Sequence, residues 1–233
     1  MRASEPAFTY HYRDAVNGFF EFPTENARRL LPSWIQPVEP HHASSILAVT
    51  AFEFESSPVG AYAEVVLSIV VAPWVAAGEP MPRAAMFPVR VGTTTPDSRQ
   101  HGIDVWHLPH HPHDLAVAFE RRDDEIRVAA RESGRNILEL TVTADRRVAW
   151  ESVDHRYQTF MNDEGGGYLS VLTMNGPFME HEEERGSLTL YPHPFASGLD
   201  APSVQTTPFR EQWMKHGRET IYPLQSWAII AGH

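Results

Sequence analysis

The clearest strand pattern of the chain is Gly60-Ala61-Tyr62-Ala63-Glu64-Val65-Val66-Leu67-Ser68-Ile69-Val70-Val71-Ala72. Its β-branched and aromatic residues favour an extended strand from Tyr62 to Ala72. Because successive side chains of a strand point to opposite faces, one face is wholly apolar. The other face carries the carboxyl of Glu64 among a tyrosine and aliphatic residues, which indicates a lined cavity or a partly wet face. Glu64 is therefore expected to be buried or half-buried.

The surrounding sequence predicts a mainly β (α+β) chain with a few short peripheral helices. A turn at residues 56–60 separates the strand from an earlier one at Ile46 to Phe54, so the two form a hairpin. Further strands are predicted at Ala84 to Val91, Leu115 to Glu120, Ile126 to Glu132, Ile137 to Thr143, Tyr168 to Asn175 and Ser187 to Tyr191. Short helices are predicted after a Thr24 cap and ending at Pro32, and over Pro208 to Tyr222.

Composition narrows the classes of partner and compartment. The 233 residues suit one domain, residues 1–233, and the net charge of -11 disfavours nucleic acid and anionic membranes as partners. There is no cysteine, which removes disulfides and thiolate chemistry. The first twelve residues contain no apolar signal core, so a cytoplasmic location is expected. No cofactor is predicted.

The most informative motif is Gly102-Ile103-Asp104-Val105-Trp106-His107-Leu108-Pro109-His110-His111. It resembles the signature of the acetoacetate decarboxylase family, which ends in proline followed by two lysines. Both lysine positions are histidine here, and the arginine that the family commonly has after the glycine is Ile103. In that family the first lysine forms the imine and the second lowers its pKa; the family is a standard example of this activation.

Two further segments carry the resemblance, which is persuasive from about Tyr10 to Leu115. Residues 10–14 with residues 27–32 resemble the family's N-terminal block, whose carboxylate-binding arginine matches Arg13. Residues 60–64 resemble the family's strand with a pocket-facing glutamate, which matches Glu64. The resemblance implies an antiparallel β-barrel of the acetoacetate decarboxylase type and self-association into a homo-oligomer.

Loss of the lysines removes the family's covalent chemistry. An imidazole has no primary amine to condense with a ketone, so His110 cannot form an imine. The chain has one lysine, Lys215, which lies outside the motif and is expected to be a solvated surface amine. His110 can instead act as an acid or base near neutral pH, with Glu64 as the complementary carboxyl.

The residues therefore predict a lyase or a cyclase/dehydratase that acts on a keto acid or a polyketide-like carbonyl compound. His110 and Glu64 are the predicted catalytic residues, and the predicted substrate-binding residues are Arg13, Tyr62, Trp106 and His111. The ligand is expected to be a small carboxylate or carbonyl compound. One alternative is a catalytically inert member of the family that binds small molecules.

A second alternative is a metal-dependent enzyme built on the loop from His107 to His113, because neutral imidazoles bind transition metals. Pro109 and Pro112 exclude the regular helix that would align His107 with His111. No fixed-spacing zinc motif is present. The sequence therefore predicts no metal.

Overall fold

The computed structural model describes residues 7–199 and 204–230, which form two β-sheets and short helices, as predicted. The strands are β1 (Phe8–Pro23), β2 (Ser44–Ser56), β3 (Tyr62–Val71), β4 (Ala84–Thr93), β5 (Ala116–Arg122), β6 (Glu125–Glu132), β7 (Arg135–Thr143), β8 (Glu151–Asp163), β9 (Gly166–His181), β10 (Ser187–Leu190), β11 (Arg210–Ile221) and β12 (Gln225–Ser226). The α-helices are α1 (Thr24–Leu30), α2 (Pro96–Trp106) and α3 (Trp227–Ile230), and a single 3-10 turn covers Pro194–Ala196. None of these described helices is long and apolar enough to cross a membrane.

Seven strands close into a barrel. Their order is β11-β1-β2-β3-β4-β8-β9, and β11 pairs with β9 to complete the ring. The predicted hairpin is confirmed, since β2 and β3 pair antiparallel from Leu47 opposite Ile69 to Phe54 opposite Tyr62. The pairing of β4 with β8 is parallel. A parallel pair requires a long crossover, and here the crossover contains α2 and the strands β5, β6 and β7.

The second sheet, in the order β10-β7-β6-β5, covers one side of the barrel. The apolar face of β3 packs into the main hydrophobic core together with side chains of this sheet. The core includes Val65, Leu67 and Ile69 from β3 and Ile126, Val128, Leu138 and Leu140 from β6 and β7. The predicted apolar face is therefore confirmed, and the opposite face of β3 points into the barrel.

Two local predictions are wrong. The segment from Pro208 to Tyr222 is not a surface helix but the strand β11, because pairing with β1 and β9 outweighs its helix-forming composition. Thr24 does not cap α1 but is its first residue, and its hydroxyl accepts a hydrogen bond from Ser45 at 2.9 Å. The sequence also did not predict β1, β8 or α2.

Gly217 lies where three strands of the barrel meet. It pairs with Tyr12 of β1, and a methyl group on it would collide with the backbone oxygen of Asn175 and the hydroxyl of Tyr12. We expect Gly217→Ala to lower the free energy of unfolding by about 1–3 kcal/mol, since overpacking of this size forces backbone shifts. Urea unfolding would measure it. Arg218→Ala, at an exposed side chain of the same strand, is the control and should change little.

Candidate active site

The barrel encloses a cavity of about 160 Å³. Residues from all seven barrel strands and from α2 line it, and most of its wall is apolar. Its aromatic wall residues are Tyr10, Phe52, Phe54, Tyr62, Trp106, Tyr157 and Phe178. A mostly apolar cavity with a few convergent polar groups is the usual form of a small-molecule site.

Glu64 places a carboxyl group on this apolar wall, as the alternation along β3 predicts. The side chain is 9% exposed, and its neighbours Tyr62, Val66 and Ser68 on the same face of β3 also line the cavity. Burial, followed by the charge of Glu219, raises the pKa of Glu64 to about 8. The carboxyl therefore keeps its proton through neutral pH.

Glu219 supplies a second carboxyl to the same cavity. It lies on β11 directly opposite Tyr10 of β1, and it is 6% exposed. Burial raises its pKa to about 7. Two carboxyls that interact titrate as a pair, so near neutral pH the pair holds one proton for part of the time and can act as an acid and a base together.

Helix α2 brings a histidine and a tryptophan to the cavity wall, beside Tyr10. The Thr95 side chain caps the helix by accepting a hydrogen bond from the Ser98 backbone. From α2, the Trp106 indole donates to the Tyr10 hydroxyl at 2.9 Å, and His101 Nε2 lies 2.8 Å from the same hydroxyl. Burial lowers the pKa of His101, so this ring is neutral at neutral pH. With its proton on Nδ1, the His101 ring accepts a hydrogen bond from the Tyr10 hydroxyl through Nε2.

The cavity carries no matching positive charge. Of the described residues that line it, none is a lysine or an arginine. Arg83 lies against the lining residue Phe178, with its guanidinium carbon 5.1 Å from the ring centroid, but it forms an ion pair with Glu180 at 2.7 Å. An anionic ligand would therefore meet two carboxyls without a free cation.

The predicted site residues divide into two groups. Glu64, Tyr62 and Trp106 line the cavity together, whereas Arg13, His110 and His111 are not among its lining residues. Arg13 is exposed at a β-bulge in the pairing of β1 with β2, between the pairs that Tyr12 and Asp14 make with that strand. Arg13 therefore does not lie beside Glu64 on the cavity wall.

His110 lies directly behind Gly102, a lining residue of α2. A methyl group on Gly102 would collide with the His110 ring, so the ring occupies the space that a side chain there would need. Burial lowers the pKa of His110 to about 4, and neither ring nitrogen has a hydrogen-bond partner in the described part of the chain. His110 is therefore a neutral ring one layer outside the cavity.

Lys215 also lies outside the cavity lining. Its amine sits 4.0 Å from the ring centroids of both Trp150 and Trp213. Lys215 is half-buried between the two indoles and is not the solvated surface lysine that was expected. This burial lowers the pKa of its amine. Such cation–π contacts account for its position without a catalytic role.

The sequence missed Glu219 and His101. Glu219 was assigned to a predicted helix. It lies two residues before Ile221, which also lines the cavity, and this period of two could have placed both residues on one face of a strand. His101 lies one residue before the family motif. The sequence Thr95-Pro96-Asp97-Ser98, with a cap residue followed by proline, signals the start of the helix that carries it.

Comparison with solved structures shows which class of protein has this fold. No protein-family model and no curated protein sequence matches the chain. Solved structures do match: the chain has the acetoacetate decarboxylase-like fold, and the predicted resemblance is confirmed for the fold. The predicted homo-oligomer and cytoplasmic location stay predictions.

Three of these structures illustrate the match. An acetoacetate decarboxylase is 11% identical, with 94% of this chain and 88% of that chain covered and a TM-score of 0.63. The enduracididine biosynthesis enzyme MppR, complexed with pyruvate, is 13% identical, with 96% and 91% covered and a TM-score of 0.61. An acetoacetate decarboxylase-like enzyme from Sphingomonas wittichii RW1 is 12% identical, with 95% and 92% covered and a TM-score of 0.57.

The buried carboxyls predict how stability depends on pH. Both have folded-state pKa values above the ordinary 4.5, so their contribution to stability is full below that value and is lost as the pH rises through about 7 and 8. We expect the free energy of unfolding to fall between about pH 5 and about pH 9. In Glu64→Gln, urea unfolding should show a smaller fall.

The matched control for this measurement is Glu55→Gln, at an exposed carboxyl on the neighbouring strand β2. It should retain the full pH dependence of the unmodified protein. An equally steep fall in Glu64→Gln would contradict the assignment of the raised pKa to Glu64.

Proposed function

We propose that this protein is an acid–base enzyme that enolises an uncharged carbonyl compound inside the barrel, as a step of a lyase or cyclase/dehydratase reaction. The observation that carries the proposal is the pair of buried carboxyls, Glu64 and Glu219, that line one mostly apolar cavity. Strongly shifted carboxyl groups inside a cavity are a common mark of catalytic sites.

The two carboxyls divide the work by their proton affinities. Glu64, with the higher pKa, keeps its proton and donates it toward the substrate carbonyl oxygen. Glu219 ionises first and, as a carboxylate, removes the proton from the carbon beside the carbonyl. The carbon–hydrogen bond breaks, its electron pair forms the enol double bond, and the oxygen gains the proton of Glu64.

The electrostatics favour an uncharged substrate. Of the two substrate types predicted from the sequence, a keto acid would bring a carboxylate into a cavity whose described lining holds two carboxyls and no lysine or arginine. A polyketide-like carbonyl compound has an apolar body that suits the aromatic wall and an oxygen that accepts a hydrogen bond from Glu64. The predicted keto acid is therefore the less suitable ligand.

The comparisons support a carbonyl ligand as a class. The similar structure of MppR is described with pyruvate, and another MppR structure with the condensation product of pyruvate and imidazole 4-carboxaldehyde. Both structures are 13% identical to this chain, so they share its fold, and a carbonyl ligand for this chain is part of the proposal. This chain departs from the family signature at the lysine position, where His110 stands behind Gly102 and carries no primary amine.

Deuterium exchange tests the proposal without knowledge of the natural substrate. Benzylacetone is an uncharged ketone with an aromatic body, and benzylpyruvate is its keto acid counterpart. We expect the protein to accelerate deuterium incorporation beside the carbonyl of benzylacetone more than that of benzylpyruvate, as measured by NMR in heavy water. Glu64→Gln should lower the accelerated rate by about 10²- to 10⁴-fold, the usual worth of a general acid.

Three controls separate this proposal from its rivals. Glu55→Gln and Lys215→Arg should keep the exchange rate, and reduction by borohydride should trap no adduct at Lys215. A large loss in His110→Ala with none in Glu64→Gln would move catalysis to His110. Binding of both compounds without any exchange would overturn the proposal in favour of the inert binding protein.

The pH profile of the exchange reaction is a second test. Activity needs ionised Glu219 and protonated Glu64, so the rate should rise with pH through about 7 and fall above about 8. In Glu219→Gln the remaining activity should lose the rising limb. A profile governed only by a group titrating near 4, the pKa of His110, would contradict the assignment.

A further inference from the structure

Three side chains from separate segments meet outside the cavity. His111 comes from the loop after α2, Glu132 ends β6, and His193 immediately precedes the 3-10 turn Pro194–Ala196. Their side chains are 6%, 18% and 10% exposed, respectively, so the cluster is largely buried. The proposed acid–base reaction uses none of them.

The three groups direct ligand-type atoms at one another. His111 Nε2 lies 3.1 Å from one oxygen of Glu132, and His193 Nε2 lies 2.7 Å from the other. The ligand atoms of all three residues lie within 4.8 Å of one another. Two imidazole nitrogens and a carboxylate oxygen are a common donor set for zinc, and ligand atoms about 2 Å from a shared ion would lie at similar separations.

The histidines of the motif point to different places, which is why the loop alone does not make this cluster. His107 stacks on Tyr168 with its Nδ1 2.7 Å from Asp163, and His110 packs on Gly102. His111 instead turns toward Glu132 at the end of β6. Its ligand partners come from residues 21 and 82 positions further along the chain, 132 − 111 and 193 − 111, so no short spacing motif could mark them.

We propose that His111, Glu132 and His193 bind one Zn²⁺ ion, with water completing the coordination. This proposal stands apart from the proposed function and departs from the absence of metal predicted from the sequence. The ion would replace the protons that now join the two imidazoles to the carboxylate. It would link the loop beside α2, the second sheet and the segment before β11.

Besides the two hydrogen bonds to Glu132 that the ion replaces, one more hydrogen bond changes when it binds. His193 Nδ1 accepts from the Phe195 backbone N–H at 3.2 Å, so without metal its proton is on Nε2. Coordination through Nε2 moves the proton to Nδ1 and releases the Phe195 N–H. Loss of one long capping bond is small against three metal–ligand bonds, and zinc binding should therefore shift the Phe195 amide resonance.

The test uses untagged protein, stripped with a chelator and titrated with ZnCl₂ in a calorimeter. We expect one equivalent of Zn²⁺ to bind and to raise the unfolding temperature. His111→Ala, His193→Ala and Glu132→Gln should each weaken binding by at least about tenfold, since loss of even a supporting partner of a metal ligand costs that much. CoCl₂ should give the visible absorption of a tetrahedral site.

Two controls make the result specific. His42→Ala and Glu120→Gln remove an exposed histidine and an exposed carboxyl elsewhere and should bind zinc as the unmodified protein does. Glu132→Gln preserves the size of the side chain, so its metal-free unfolding curve shows whether lost binding reflects lost structure. Absence of stoichiometric zinc binding, or equal binding in all three cluster variants, would overturn the proposal. The zinc site and the cavity are independent proposals. Neither outcome of the zinc titration therefore tests the enolisation proposed for the cavity.

Discussion

The antiparallel pairing of β11 with both β1 and β9 determines the character of the interior. Without it the seven strands would be an open sheet with two free edges, and the inner face would be wet. With it, the inward side chains of β11 join an enclosed wall, among them Gln212, Met214 and Glu219. The close approach of Gly217 to Tyr12 and Asn175 shows how little space this closure leaves.

Closure of the barrel buries the two carboxyls, Glu64 and Glu219, and burial destabilises their charged forms. Burial of an acid without a cation partner favours its neutral form, which is why the pKa values of Glu64 and Glu219 rise to about 8 and 7. Apolar side chains of the same size would stabilise the barrel better. The carboxyls also stand on strands that belong to a closed hydrogen-bonded ring, β3 and β11, so each is held in place by its own ladder. Two acids that lower the stability of the fold and are held in fixed positions are better explained by the proposed catalytic role than by a structural role.

The sequence predicted the part of this site that depends on a single strand. The alternation along β3 was enough to place Glu64 and Tyr62 on a cavity face, because the period of two survives in any sheet. Glu219 was missed because residues 211–219 contain glutamate, glutamine, methionine, lysine and arginine, and this helix-forming composition outweighed the period-2 spacing of Glu219 and Ile221. The position of Arg13 could not be predicted for a different reason. Arg13 lies at a bulge between β1 and β2, and a bulge depends on the register of two paired strands, which one segment of sequence does not reveal.

The two histidines at the lysine positions of the motif have different surroundings in the fold. Adjacent residues of an extended segment point to opposite sides, so His110 and His111 cannot both face α2. His110 packs on Gly102, and His111 turns to Glu132. A lysine at residue 110 would have a longer, flexible chain able to reach past a glycine, whereas the shorter imidazole ends against it. In the proposed function, residue 110 therefore contributes packing, and the carboxyls that line the cavity carry out proton transfer. It follows that a search for the reaction of this protein should begin from its carboxyl pair and not from the motif that identifies its fold.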